Sequence, residues 1–317
     1  MTRTQIVRTV LVAAVSAAAT LPASPRVSAQ STGRLNPVIA VQEKGLPMFG
    51  IAHPSIGRGG GGGTAAAGAT TAPAIVLSDV AKETVAYKGA DYLFTSGTSD
   101  QFLLYIEEIT KAGGSARTHP FGAKIGIWHA NPERVTAAIV RQLNAGHSLV
   151  MMEGVESAQE VRDVIKAIRL TSAGGTRPEE GLEKAAAYWG LTVPQYKQKA
   201  DVWPLNKNGE ILINVIVESK EGLAHVREIA AEPGVGQLFA GYGTLGGVFR
   251  DDPAGREAAA MQILAACKEF KVPCGFPTNN AAEMEQRMKE GWSTFIMQRR
   301  NADGFAAIET GKKLGGR

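Results

Sequence analysis

Cysteine is almost missing from this chain: Cys267 and Cys274 are the only two in 317 residues, too few for a disulfide-built scaffold. Cys267 falls in a helical pattern and Cys274 opens a strand-like run, so both read as small buried hydrophobes. After the first thirty residues there is no apolar run that suggests a membrane anchor. No phosphate-binding fingerprint follows a strand, which weighs against a doubly wound nucleotide fold. A strong charge of one sign is missing too. The formal net charge is +4, and Arg3, Arg8 and Arg26 of the leader account for all but +1 of it. No electrostatic case for a nucleic-acid partner survives that subtraction.

The leader itself is legible. Arg3 and Arg8 precede an apolar stretch from Val10 to Leu21, and Val27-Ser28-Ala29 offers small residues at a peptidase spacing. Residues 1–29 therefore read as a signal peptide. The mature chain, 30–317, is expected in the periplasm or outside the cell as one domain with no membrane anchor. A Gly/Ala/Thr-rich stretch, 57–73, resists packing because glycine loses the most backbone entropy on ordering, and it reads as a flexible loop. A second insertion, 174–208, reads as helical. Its Tyr188, Trp189, Tyr196 and Trp203 suit either a local core or the cover of a neighbouring subunit.

Eight short apolar runs punctuate the rest: Met48–Ala52, Asp91–Ser96, Lys124–Trp128, Leu149–Glu153, Leu212–Glu218, Gln237–Ala240, Val272–Phe276 and Thr294–Met297. Helical patterns lie between most of them, as at Pro132–Ala145, Ala158–Ile168, Ser219–Ala231, Ala254–Phe270 and Ala281–Glu290. Eight strands alternating with helices predict an α/β fold, a (β/α)8 TIM barrel.

A barrel keeps its chemistry at the carboxyl ends of its strands. His53 follows the first strand, His129 the third, Glu153 ends the fourth and Glu218 follows the fifth. Imidazole and carboxylate donors in that pattern would suit a divalent metal, so Glu218, Glu153, His129 and His53 form the candidate ligand set. His129, Glu153 and Arg299 are the candidate catalytic groups. Arg299 and Arg300 follow the last strand, where a planar guanidinium can clamp a carboxylate. Gly241, Gly243 and Thr244, after the sixth strand, are candidates for holding a substrate carboxylate through backbone N–H groups. Lys124 stands at the start of its predicted strand, the wrong end for a Schiff base, which argues against a lysine-dependent aldolase.

Several of these segments carry a family resemblance. The sequence VIVESKEG, followed by REIAAEPGVGQLFAGYGTLGG, resembles the HpcH/HpaI aldolase and citrate lyase family, whose strand ending in Glu-Ser/Thr leads through IAAVPGVD to FIGPxDLS. Pro47-Met48-Phe49-Gly50 is similar to that family's opening strand and Gly89-Ala90-Asp91-Tyr92 to its GxDF. Asn144-Ala145-Gly146 and Gly154–Val161 are similar to its LDAGAxGVxxPxVESAEEA, and Ile263–Gly275 to its penultimate helix and strand.

The resemblance implies a metal-dependent lyase that cleaves or forms a carbon–carbon bond of a 2-oxo acid aldol through a pyruvate-type enolate. It also implies Mg, Mn, Zn, Co or Fe as cofactor, a small 2-oxo or hydroxy-oxo acid as substrate, and a homo-oligomer, a hexamer being one form. Of the family's catalytic set only Glu218 stands plainly in place. Thr244 occupies the position of the metal-binding Asp, Gly126 that of an Arg, Ile216 that of a Gln, and Ser96–Ser99 that of a DxEH motif. Two alternatives stay open: a non-catalytic exported organic-acid binder, and a lyase or hydrolase with a rebuilt site.

Overall fold

The fold follows from the strand ends and their caps. The computed structural model describes residues 33–56 and 75–317. The expected signal peptide, 1–29, and the loop 57–73 lie outside them. Eight parallel strands close into a barrel: Met48–Ala52, Tyr92–Thr95, Phe121–Ile127, Leu149–Glu153, Ile211–Val217, Gln237–Ala240, Cys274–Thr278 and Thr294–Met297. Closure is set by two registers, Leu149 opposite Leu212 across the fourth and fifth strands and Met48 opposite Thr294 across the first and last. A two-residue strand, Val202–Trp203, adds to the amino end of the fifth.

Many of the helices start on a side-chain cap supplied by the preceding loop. Asn131, Ser157, Asp252, Asn280 and Asn301 each accept a hydrogen bond from a backbone N–H in the first turn. Such caps satisfy donors that a helix start leaves unpaired, and they fix where each loop leaves the barrel's active face. The expected helix over 219–231 is instead two short ones, Lys220–Ala224 and Val226–Ala231, meeting at His225. The His225 ring there bonds Glu156 O at 3.0 Å, tying the break to the neighbouring loop.

The apolar side chains form two shells. Phe49, Ile51, Phe121, Ile125, Val150, Ile213 and Val215 face the helices. Met48, Tyr92, Leu149, Met151, Leu212, Ile216, Phe239 and Ile296 fill the barrel, and Val38 and Ile39 of the helix Pro37–Gln42 join this inner cluster. Glycine makes the interior fit. A Cβ at Gly50 would overlap the Tyr92 ring, and one at Gly275 the Phe239 ring. Aromatic rings thus take the space that two strands leave free.

The insertion packs on its own barrel. Trp189 and Tyr196 meet edge to face at 4.9 Å. Trp189 Nε1 donates to Gly146 O at 2.8 Å, Tyr188 Oη to His119 O at 2.6 Å and Tyr196 Oη to Leu143 O at 3.1 Å. These three aromatics are a local core, not the cover of a second subunit. Cys267 and Cys274 are buried as expected but are joined in a disulfide between the helix Pro253–Phe270 and the seventh strand. Helix and strand face each other there with Cα atoms 5.6 Å apart, a separation that sequence spacing alone does not reveal.

Because Gly275 is required by the Phe239 ring, Gly275→Ala is expected to lower unfolding stability by about 1–3 kcal/mol, the usual cost of overpacking a filled core. Denaturant titration checks this, and an unchanged midpoint would contradict it.

Candidate active site

The fifth strand is buried along its whole length and apolar but for Asn214, so Glu218 is the charged side chain at its carboxyl end. Its Oε1 accepts from the Gly154 N–H at 3.1 Å, and Thr244 lines the same small cavity. The chain at Gly241 passes so close that a Cβ would overlap the Glu218 side chain, which only glycine avoids. Burial raises the Glu218 pKa above the ordinary carboxyl range and nearby Glu153 raises it further, while Thr244, Lys124 and the Gly154 N–H oppose the shift. The carboxyl is held in one place and inclined to take up a proton.

Lys124 is the side chain that the sequence misplaced. The third strand begins at Phe121, not at Lys124, so Lys124 lies mid-strand. Phe121 and Ile125 face the helices, and alternation turns Lys124 inward. From there its Nζ donates to Glu153 Oε1 at 2.8 Å, with 30% and 24% of the two side chains exposed. Three spaces meet at Lys124: one of 80 Å³ shared with Glu218 and Thr244, one of 460 Å³ with Glu153, and one of 200 Å³ with His53 and Gln298. A further space of 580 Å³ lies outside the barrel, lined by Leu103, Arg141 and Tyr188, and holds none of these groups.

The other expected residues divide. Glu153 faces the cavity beside Lys124, and Gly243 and Thr244 line the same small space as Glu218. Gly241 lines it too, but its N–H already donates to Val217 O at 2.9 Å and is not free for a substrate. His53 is buried against Phe102 at 5.0 Å, its Nδ1 donating to Pro54 O at 2.5 Å. Burial lowers its pKa, Pro54 O opposes that, and Arg300 lowers it further. His129 is not brought to the cavity. The third strand ends at Ile127, and a turn carries His129 to the outer rim, where its Nδ1 meets Glu160 at 3.1 Å. Arg299 is exposed, and Arg300 lies over the Tyr87 ring at 4.9 Å. Lys124 and Gln298 are the lining residues that sequence reasoning missed. The signal for Lys124 was a lone charge in FGAKIGI, flanked at both i±2 positions by glycine.

The expected set of Glu218, Glu153, His129 and His53 is split by position, and among the described residues no three His, Cys, Asp or Glu side chains are grouped to hold a metal. Glu218 and Glu153 lie near each other, with the Lys124 ammonium on Glu153, while His129 is at the outer rim and His53 bonds Pro54 O. Magnesium is usually bound through one or two carboxylates and keeps several waters, so Glu218 and Glu153 are the residues that would hold one.

The raised Glu218 pKa has a sign that can be checked. A carboxyl whose folded pKa exceeds its unfolded value favours the folded state below the unfolded pKa and loses that contribution as pH rises through the folded pKa. Glu218→Gln is therefore expected to gain stability relative to wild type as pH rises from acid to neutral, read by thermal melting across pH. A difference that is flat with pH, or that grows towards acid, would contradict the assignment.

Known proteins share this architecture and sequence. A profile of the HpcH/HpaI aldolase/citrate lyase family matches residues 129–294. A hydroxypyruvate/pyruvate aldolase of Paraburkholderia phytofirmans is 28% identical over 228 residues, covering 68% of this chain and 80% of the relative. A 2-dehydro-3,6-dideoxy-6-sulfogluconate aldolase of Pseudomonas putida is 29% identical over 157 residues, or 48% of this chain and 58% of the relative. Among solved structures, a family protein from Burkholderia cenocepacia superposes with a TM-score of 0.61 at 21% identity, covering 85% of this chain and 93% of that one. At that identity the likeness speaks to the fold. Barrel, profile and relatives agree, and this chain belongs to the HpcH/HpaI aldolase/citrate lyase family.

Proposed function

We propose that this chain is a carbon–carbon lyase that cleaves, or in reverse forms, the aldol of a 2-oxo acid at the mouth of its barrel. Family membership supports the reaction class, and the aldolase activities of the relatives support the substrate class. The observation that carries the reading is Glu218, a fixed carboxyl of raised pKa facing Lys124 across a small cavity. Phe94, Met151, Ile216, Phe239 and Ile296 give that cavity apolar walls, which strengthen electrostatic contacts by excluding water.

Each group has a task that suits its chemistry. The Lys124 side chain supplies the positive charge that attracts the 2-oxo acid, in a barrel where Gly126 stands at the family's Arg position. Glu218 accepts the hydroxyl proton of the aldol as the carbon–carbon bond breaks and can return a proton to the three-carbon product. The Gly154 N–H, donating to its Oε1 at 3.1 Å, orients it. A divalent ion, which the family resemblance implies, would be held by Glu218 and Glu153 with waters and would polarise the 2-oxo group of the substrate.

We also propose that the protein is exported. The charged, apolar and small-residue segments of 1–29 support this, as does the Cys267–Cys274 disulfide, a bond that persists in oxidising compartments. N-terminal sequencing of the mature protein should begin at or near Gln30, and retention of Met1 in the functional protein would contradict export.

Incubation with 4-hydroxy-2-oxo acids, coupled to a pyruvate-specific dehydrogenase, tests the lyase reading. Release of pyruvate is expected, and Glu218→Gln should lower kcat by about 10²–10⁴-fold, the usual contribution of a positioned acid or base. A wild-type protein that binds pyruvate yet cleaves no such aldol would make the non-catalytic binder the correct reading.

A further inference from the structure

Four of the seven residues 241–247 are glycine, yet this segment gives the Glu218 cavity one of its walls. We propose that Arg256 is the positioning residue of that wall: its guanidinium lies across Tyr242, holds Gly241–Thr244 against Glu218 and so sets the shape of the substrate cavity. The proposal rests on the lyase reading for its substrate, and it names a residue that acts on the same cavity from outside.

Left to itself the wall would be loose. Glycine loses more backbone freedom on ordering than any other residue and weakens a helix that contains it. The helix Tyr242–Val248 contains Gly243, Gly246 and Gly247, and Gly241 begins it with no side-chain cap. In FIGPxDLS the position of Tyr242 is proline, whose ring fixes φ and whose missing N–H is harmless at the first residue of a helix. This chain has neither the cap nor the proline.

Arg256 supplies a restraint of another kind. Its Cζ lies 3.6 Å from the centroid of the Tyr242 ring and its Nε donates to Tyr242 O at 3.0 Å, so one side chain grips both ring and backbone. Gly246 leaves room for it, since a Cβ there would stand 3.1 Å from Arg256 Cζ. The tyrosine is held at its far end as well. Its Oη donates to Glu257 Oε2 at 2.9 Å, which also accepts from Arg287 Nη2 at 3.0 Å, and Phe276 meets its ring at 4.7 Å. Arg256 and Glu257 belong to the 18-residue helix Pro253–Phe270, which the Cys267–Cys274 disulfide joins to the seventh strand. The grip is thus mounted on a fixed element, and the wall it holds is not one.

The consequence falls on the substrate. The chain at Gly241 runs against the Glu218 side chain, so movement of Tyr242 shifts the wall nearest the carboxyl. Glu218 itself follows another strand and is oriented by Gly154, so loosening the wall weakens binding before it disturbs proton transfer.

Arg256→Met in the mature protein, with magnesium present throughout, tests this by two readouts that need no turnover. These are amide hydrogen exchange over residues 243–248 and calorimetric affinity for pyruvate. Exchange there should quicken by about tenfold, the scale of one lost cation–π contact, with the rest of the barrel unchanged, and the Kd for pyruvate should rise by a similar factor. In the cleavage assay KM should rise while kcat moves far less. Tyr242→Pro added to Arg256→Met should restore the protection and most of the affinity, because proline replaces the backbone restraint and none of the ring's contacts. A residue that merely packs against Tyr242 would not be rescued by removing the ring. Unchanged protection in Arg256→Met would overturn the proposal, as would lost protection with unchanged pyruvate affinity, or no rescue by proline. Wild type and variants that bind pyruvate as expected but cleave no aldol would sink the lyase reading and leave the role of Arg256 standing.

Discussion

Everything at the barrel mouth is arranged around one ion pair, Lys124 with Glu153, set beside a second carboxyl at Glu218. Two carboxylates on neighbouring strands repel each other, and burial adds a cost for each charge that is taken out of water. The ammonium between them offsets both effects. It engages Glu153 directly and lowers the cost of ionising Glu218. Without the lysine, the same two acids would call for a metal or for permanent protonation. With it, the site is a charge-balanced pocket in which protons have short paths between three groups.

The scaffold makes that arrangement possible by placing small residues where polar groups need room. Gly241 lets the chain pass Glu218, and Gly154 supplies the N–H that orients it. Deeper in the barrel, Gly50 and Gly275 admit the Tyr92 and Phe239 rings that fill the floor beneath the site. Function and packing therefore depend on the same device, a strand residue with no side chain opposite one with a large or charged side chain. Of the family's usual donors only Glu218 stands plainly in place, and Thr244, at the position of the metal-binding Asp, lines the same small cavity.

Much of the fold was legible in the sequence because buried parallel strands are short, apolar and bounded by turn residues, and all eight could be counted. Glu218 was legible for the same reason, as a charge following a mostly apolar run. Lys124 was not. Its strand starts three residues earlier than its apolar pattern suggests, because Pro120, Phe121 and Gly122 read equally well as a loop. That small boundary shift moved the lysine from the closed end of the barrel to its centre. His129 failed in the opposite sense, since one turn after the strand end is enough to swing a side chain from the axis to the rim. The disulfide and the inward packing of Tyr188, Trp189 and Tyr196 depend on tertiary neighbours, which no local pattern records.

Glu218 and Lys124 are read as the two charged groups that meet the substrate in one small cavity. A crystal structure of the protein grown with pyruvate, with magnesium or manganese present, checks that placement. Pyruvate is expected in the cavity lined by Glu218, Lys124 and Thr244, with its oxygens within hydrogen-bond reach of the Lys124 ammonium. Pyruvate bound elsewhere on the barrel, with this cavity left unfilled, would overturn the reading.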